Sequence, residues 1–140
     1  MLRVDNIQYN VLMNKNTVTA LPDVHSGKWD DMKPQPVEKP RLARLHHMSP
    51  EEAAQEMLND LCSGKAGSNP AFCQYKAYMS SLEKEFKGCR ASNFIAKKSG
   101  DYAGVYVFYL LTHPDGKTEK SHICIRNDND QHIWIADGGL

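Results

Sequence analysis

The spacing of apolar residues changes at Gly88, and this change constrains the fold more than any other feature of the chain. Before Gly88 apolar residues recur three or four positions apart, as they do on one face of an α-helix. After Gly88 they alternate with polar residues, as in strands that bury one face of a sheet. The order of helices first and strands second predicts an α+β fold.

The first predicted helix lies in the segment MSPEEAAQEMLNDLCSGK. Ser49 stands at the N-cap position, Pro50 at the first helical position and Glu52 three residues after the serine, which together make a capping box. Gly64 is expected to end the helix. The predicted buried face consists of Ala54, Met57, Leu58 and Leu61.

A second helix is predicted from Asn69, as N-cap, and Pro70 to Gly88. Its apolar and aromatic side chains recur at helical spacing, which favours core packing over a ligand-binding role. They are Phe72, Tyr75, Met79, Leu82 and Phe86.

Four strands are predicted after Gly88, in ASNFIAKKSGDY, AGVYVFYLLTH, SHICIRN and HIWIA. The sequence HPDG between the second and third strands is typical of a turn, and so is NDND between the third and fourth. The predicted fold is therefore two helices packed on an antiparallel β-meander.

The N-terminal part of the chain has a different composition. Residues 2–13 and the segment TVTAL predict a hairpin, and Pro34, Pro36 and Pro40 predict an extended connector without helix. We expect residues 1–41 to form an arm or hairpin with its connector, and residues 42–140 to form the α+β domain.

The apolar residues also predict the register of the sheet, because a slip of one residue exchanges its two faces. Pairing Ile123 with Ile135 and Ile125 with Ile133 puts four isoleucines on one face, and Val105 and Val107 extend it. The helices are expected to cover that face. The opposite face then carries Tyr106, Phe108, Leu110, His122, Cys124 and Trp134.

This second face has more aromatic surface than a solvated sheet face normally carries, so we predict that it binds something. The candidates are the N-terminal arm, a second copy of the chain, a protein partner or a ligand. The same register separates His122 from His132 by about four residues along the sheet, which at roughly 3.4 Å per residue is too far for one metal ion.

The cysteines leave two possibilities open. Their spacings fit either disulfides or buried free thiols, and disulfides would place the protein in an oxidising compartment after removal of a leader. The candidates are Cys62, Cys73, Cys89 and Cys124. The enzymatic alternative is a cysteine-dependent hydrolase of peptidoglycan peptides, with Cys73 near a helix start as nucleophile and His122 on a strand as base.

Composition argues against several other classes of function. Lys and Arg number 17 and Asp and Glu number 17, without the basic excess that is usual in nucleic-acid-binding proteins. No apolar run reaches the roughly 20 residues that span a bilayer, and no signal peptide is visible, so a cytoplasmic protein is expected as the sequence is written. The NDND run lacks the glycine and glutamate of a calcium loop, and no metal or cofactor is predicted.

The order of elements and the run VYVFYLLTHPDGKTEKSHICIRNDNDQHIWIADGG resemble the nuclear-transport-factor-two-like superfamily, the cystatin-like α+β roll, over residues 49–138. Small bacterial members have a similar P-D-G-K-T turn and W-x-I strand. The resemblance implies a curved sheet around a pocket. Enzymes of the superfamily place an Asp-His pair in that pocket, whereas the inward positions here are apolar or aromatic.

The superfamily also includes binding-only members, among them immunity proteins that neutralise bacterial toxins. The resemblance and the aromatic face together favour a non-enzymatic protein-interaction module. Its most specific forms are an immunity protein and an envelope-associated accessory protein, and its partner is expected to be a protein or a second copy of the chain.

Overall fold

The structure is a computed structural model that describes residues 33–140. In these residues the helices precede the strands, so the predicted α+β class is confirmed. The α-helices are α1 (Lys39–His46), α2 (Pro50–Ser63) and α3 (Met79–Phe86), and two 3₁₀ helices span Ala66–Ser68 and Pro70–Tyr78. The strands are β1 (Arg90–Lys97), β2 (Val105–Thr112), β3 (Thr118–Arg126) and β4 (Ile135–Gly138). The predicted N-terminal hairpin lies outside the described residues.

Helix α2 forms as its sequence predicts. The Ser49 hydroxyl accepts from the backbone N–H of Glu52 at 3.1 Å, and the Glu52 carboxylate accepts from the backbone N–H of Ser49 at 2.8 Å. These two bonds satisfy donors that a helix start otherwise leaves without partners. Gly64 ends the helix with a φ of 74°, a left-handed conformation that glycine adopts without strain. The apolar face of α2 is buried at Ala53, Ala54, Met57, Leu58 and Leu61.

The second predicted helix differs from expectation, because its first half is a 3₁₀ helix and only Met79–Phe86 is α-helical. Asn69 is the N-cap, as predicted, and its side chain accepts from the backbone N–H of Ala71 at 2.9 Å. Phe72 has non-helical backbone angles within this 3₁₀ helix. The aromatic stripe still packs into the core, with Phe72 and Phe86 buried, so its predicted role is confirmed.

Helix α1 corrects the prediction for the connector. It begins at Lys39 and contains Pro40 in its first turn. Proline is tolerated there because a backbone N–H in the first turn has no hydrogen-bond acceptor within the helix. The predicted domain boundary after residue 41 therefore falls inside a helix. Residues 33–38 precede it in neither helix nor strand.

The sheet is an antiparallel meander in the order β1-β2-β3-β4. Val105 pairs with Ile125 and Val107 with Ile123, as predicted from the apolar residues. One face of the sheet, which we call the inner face, packs with α2 and α3. It is filled by side chains that are at most 5% exposed: Val107, Tyr109, Leu111, Ile123 and Ile125.

The last strand begins later than predicted, at Ile135 rather than His132. The preceding loop is held by Asn129, whose Nδ2 donates to the carbonyl of Ile133 at 2.6 Å and whose Oδ1 accepts from the backbone N–H of Gln131 at 3.1 Å. His132 has a φ of 55°, which is incompatible with a strand. The predicted strand pairing of Ile125 with Ile133 is therefore wrong, although Ile133 is buried against Ile135.

No helix among residues 33–140 has the length and apolar character needed to cross a membrane.

Candidate functional site

A β-bulge in β1 determines which of its side chains lie on the outer face of the sheet, the face opposite the core. Ser92 pairs with Leu110 and Ile95 pairs with Phe108, so between these pairs two residues of β1 stand opposite one residue of β2. Asn93 takes up the extra residue with a φ of 58°, a conformation that asparagine tolerates better than most residues. After the bulge Ile95 and Lys97 face outward, whereas an unbroken alternation would have turned them inward.

The centre of the outer face is an exposed apolar pair. Ile95 is 55% exposed and Phe108 is 40% exposed, and they lie directly opposite each other on neighbouring strands. Few large apolar side chains of the described residues are this exposed, and these two form an apolar patch on the outer face.

Aromatic rings continue this pair along the sheet. The His122 ring lies 5.7 Å from the Phe108 ring and 5.9 Å from the Tyr106 ring, and Tyr106 in turn lies 5.4 Å from Tyr102, between ring centroids. These separations are typical of tilted aromatic packing. The sequence predicted that Tyr106, Phe108 and His122 share one face of the sheet, and their rings are in contact there in the structure.

Positive charge surrounds the apolar pair. Lys97 extends over Phe108, with its Nζ 5.8 Å from the ring centroid, and Lys120 lies opposite Leu110. Arg90 faces outward at the end of the same strand as Lys97. The outward positions of β1, β2 and β3 contain no Asp or Glu, so this face is locally basic in a chain that carries no net charge.

Arg126 shares the outward parity of Lys120 but does not add to this charge. Its guanidinium donates two hydrogen bonds to the Asp128 carboxylate, at 2.6 and 2.5 Å. The hydrogen bonds from Arg126 hold the pKa of Asp128 below its ordinary value. On the described outer face, Lys97 and Lys120 are therefore the cations next to the apolar pair.

Two other predicted binding residues are less accessible. Cys124 has the outward parity, opposite Tyr106, but is fully buried, and Leu110 is half-buried.

Trp134 lies elsewhere than predicted. It precedes β4, packs against the main core, and its indole N–H donates to the carbonyl of Met48 at 3.3 Å. With Met57 and Ile133 it lines a cavity of about 20 Å³, room for about one water molecule. The prediction assumed a strand from His132, and the later start of β4 moves Trp134 to the inner side.

The two residues of the enzymatic alternative have different surroundings. Cys73 is half-buried and packs against Ile133 and Ile135, together with residues of α1. His122 stacks with Tyr106 and Phe108 on the outer face.

The structure instead joins a different cysteine and histidine. The Cys89 sulfur lies 3.5 Å from Nδ1 of His113, and Nε2 of His113 lies 2.5 Å from the Glu119 carboxylate. A thiol, a base and a carboxylate that orients the base form the arrangement used to activate cysteine. The register of β1 and β2 could have predicted this contact, because Cys89 and His113 lie next to the paired residues Arg90 and Thr112.

All four cysteines are free thiols in this structure. Burial raises the pKa of the Cys62 thiol to about 11, with a smaller contribution from Cys89. Burial also raises the pKa of Cys89, and the carboxylates of Glu119, Glu85 and Asp115 add to the effect. Both thiols are consequently protonated at neutral pH.

The polar loop after β3 holds the connector in place. The Gln131 side chain accepts from the backbone N–H of Val37 at 2.9 Å and donates to the carbonyl of Gln35 at 3.0 Å, and the backbone carbonyl of Gln131 lies 2.7 Å from Nε2 of His46. The residue that follows the NDND run thus ties the loop to the connector and to α1. Residues 33–140 contain no group of three or more His, Cys, Asp or Glu side chains placed to hold a metal ion.

Comparison with known proteins finds no match to this chain among protein-family models, curated proteins or solved structures.

Proposed function

We propose that this chain is a non-enzymatic protein-interaction module that binds an acidic segment of a partner protein on the outer face of its sheet. The observation that carries the proposal is the exposed pair of Ile95 and Phe108, with Lys97 and Lys120 beside it. An apolar contact surrounded by one sign of charge is suited to a segment with an apolar anchor and the opposite charge.

The charge of the outer face favours a partner protein over a second copy of the chain. A symmetric dimer through this face would bring the same cations of both copies together, and like charges at an interface are repulsive. Carboxylates of a partner would instead pair with Lys97, Lys120 and Arg90. The partner is therefore expected to be a different, locally acidic protein.

The edge of the sheet supports docking on the face rather than addition of a strand. The Glu51 carboxylate of α2 accepts from the backbone N–H of Ala96 in β1 at 3.3 Å. An edge donor that is already satisfied is less available to an incoming strand. Side chains of the outer face, not the backbone of β1, would then supply the contacts.

Immunity to a toxin is the most specific form of this proposal, and an envelope-associated accessory role is its other form. Support for immunity comes from the resemblance of residues 49–138 to a superfamily with toxin-neutralising members. The local charge is compatible with it, because an acidic segment of a toxin would be recognised by the basic rim of the face.

Selection from a library of random 12-residue peptides displayed on phage, with the full chain as bait, tests the proposal. The selected peptides should be rich in Asp and Glu around an aliphatic or aromatic residue. Binding of the selected peptides should fall at least about 10-fold for the double variant Lys97→Glu/Lys120→Glu, the size expected when two charge pairs are lost.

The double variant Lys76→Glu/Lys84→Glu is the matched control. It makes the same change in net charge at exposed helical positions away from the sheet, and its binding should stay near that of the wild type. Selection of basic peptides, or equal losses in the two double variants, would overturn the proposal.

A further inference from the structure

We propose that Cys62 and Cys89 are an oxidisable pair, which a small-molecule disulfide converts to an intramolecular disulfide with His113 as the base. This modification site is independent of the outer face. It links the end of α2 to the start of β1.

The backbone places the two cysteines on adjacent segments. The N–H of Gly88 donates to the carbonyl of Cys62 at 3.3 Å, and both cysteines contribute to the main core cluster. The two thiols are also close enough for the charge of Cys89 to affect the pKa of Cys62. A disulfide needs Cα atoms about 4.4–6.8 Å apart, which residues on directly bonded segments can provide.

His113 supplies what these thiols need in order to react. A thiolate, not a thiol, attacks a disulfide, and burial keeps Cys62 and Cys89 protonated at neutral pH. Nδ1 of His113 lies 3.5 Å from the Cys89 sulfur and can take its proton. The resulting imidazolium would be stabilised by the Glu119 carboxylate at Nε2, so Glu119 acts as a positioning residue.

The reaction proceeds in two balanced exchanges. The Cys89 thiolate attacks one sulfur of the small-molecule disulfide, the S–S bond breaks, and the leaving thiolate takes the proton held by His113. Cys62 then attacks the Cys89 sulfur of the mixed disulfide, the bond to the second small sulfur breaks, and that leaving thiolate takes up the proton lost by Cys62 and departs as the second small thiol. The two cysteines lose two protons and two electrons, and the small-molecule disulfide is reduced to two thiols.

Cys89 is the better candidate for the first attack. It contacts a base directly, whereas the pKa of Cys62 is raised to about 11. Cys62 then completes the reaction from the adjacent segment. The resulting bridge closes a loop from residue 62 to residue 89 and should raise the melting temperature by about 10 °C through its effect on the unfolded chain.

The test uses the reduced full-length chain treated with 2-hydroxyethyl disulfide, followed by alkylation of remaining thiols and peptide mapping by mass spectrometry. The wild type should yield one cross-linked pair of peptides that contain Cys62 and Cys89. A bridge that involves Cys73 or Cys124 instead, or absence of any bridge, would overturn the proposal, and neither readout depends on a variant that might misfold.

Variants then test the roles of the individual residues. Cys62→Ser should stop the reaction at a mixed disulfide on Cys89, and His113→Asn should slow bridge formation at least about 10-fold. Cys73→Ser is the control and should leave both rate and product unchanged. Equal rates in His113→Asn and the wild type would contradict the role of His113 as base.

Discussion

The two faces of the sheet are built from the same strands, yet they differ in packing and charge. The inner face is mainly aliphatic and closed, and Val107 and Ile123 have no exposed surface. The outer face has Ile95 and Phe108 open to solvent and cations around them. Strand alternation produces both in β2 and β3, because successive side chains point to opposite sides, and β1 needs a bulge as well. The two faces thus separate residues that hold the fold together from residues whose side chains stay exposed.

The bulge at Asn93 is what keeps the two faces distinct along β1. Upstream of it Ala91 faces inward and Arg90 outward, and downstream of it Ala96 faces inward and Lys97 outward. If the same sequence ran through β1 in unbroken alternation, Lys97 would point into the core, where an unpaired charge is very costly. A local irregularity in one strand therefore preserves the basic outer face.

The largest expected effect is on the inner face. Ile123→Ala removes a fully buried side chain that packs among the core residues, and it should lower the free energy of unfolding by about 2–5 kcal/mol. Urea unfolding followed by circular dichroism measures this loss. A loss of less than about 1 kcal/mol would mean that the inner face is not the principal core.

The bulge should give the next largest effect. Asn93→Val puts a β-branched residue at a φ of 58° and should destabilise the protein by about 1–3 kcal/mol. Asn93→Gly also removes the asparagine side chain, but glycine adopts a positive φ without strain, so this variant should be close to neutral. Equal losses of stability in the two variants, measured by urea unfolding, would show that the backbone conformation is not the cause.

The ion pair between Arg126 and Asp128 should contribute less, at most about 1 kcal/mol, because the Asp128 side chain is 39% exposed. Arg126 lowers the pKa of Asp128 in the folded state, so the stabilisation is fully present above the ordinary pKa of an aspartate, about 4. It is lost as the pH falls through the lower folded-state value. Asp128→Asn should therefore flatten the acid side of the stability profile, and an unchanged profile below pH 4 would contradict this.

The smallest expected change in stability is on the outer face. Phe108→Ser removes an exposed ring and should alter the free energy of unfolding by no more than about 0.5 kcal/mol. The same substitution should abolish binding of the peptides selected on the wild type. A destabilisation as large as that of Ile123→Ala would show that Phe108 belongs to the core and not to a contact surface.

The sequence was most informative where one local signal coincided with burial. Ser49, Glu52 and Gly64 predicted both ends of α2, and the alternation of Val105, Val107, Ile123 and Ile125 predicted the register of β2 and β3. In these segments capping, propensity and the pattern of apolar residues agree, so tertiary contacts did not change the outcome.

Predictions were wrong where the backbone departs from a regular helix or strand. The first half of the second helix is a 3₁₀ helix with non-helical backbone angles at Phe72, and Asn129 holds the loop that delays β4 and moves Trp134 inward. The spacing of apolar residues does not reveal hydrogen bonds between a side chain and the nearby backbone. The contact of Cys89 with His113 was missed because apolar residues were used to pair β2 with β3 but not β1 with β2, where the bulge breaks the alternation.

The most direct test of the central claim, that the outer face recognises an acidic partner, is a charge-exchange titration. Two fluorescent peptides would share one aromatic anchor, flanked by Glu in the first and by Lys in the second, and their affinities would be measured by anisotropy. The wild type should prefer the Glu peptide at least about 10-fold, and Lys97→Glu/Lys120→Glu should reverse the preference. Equal affinities of the wild type for both peptides, or an unchanged preference in the double variant, would contradict the account.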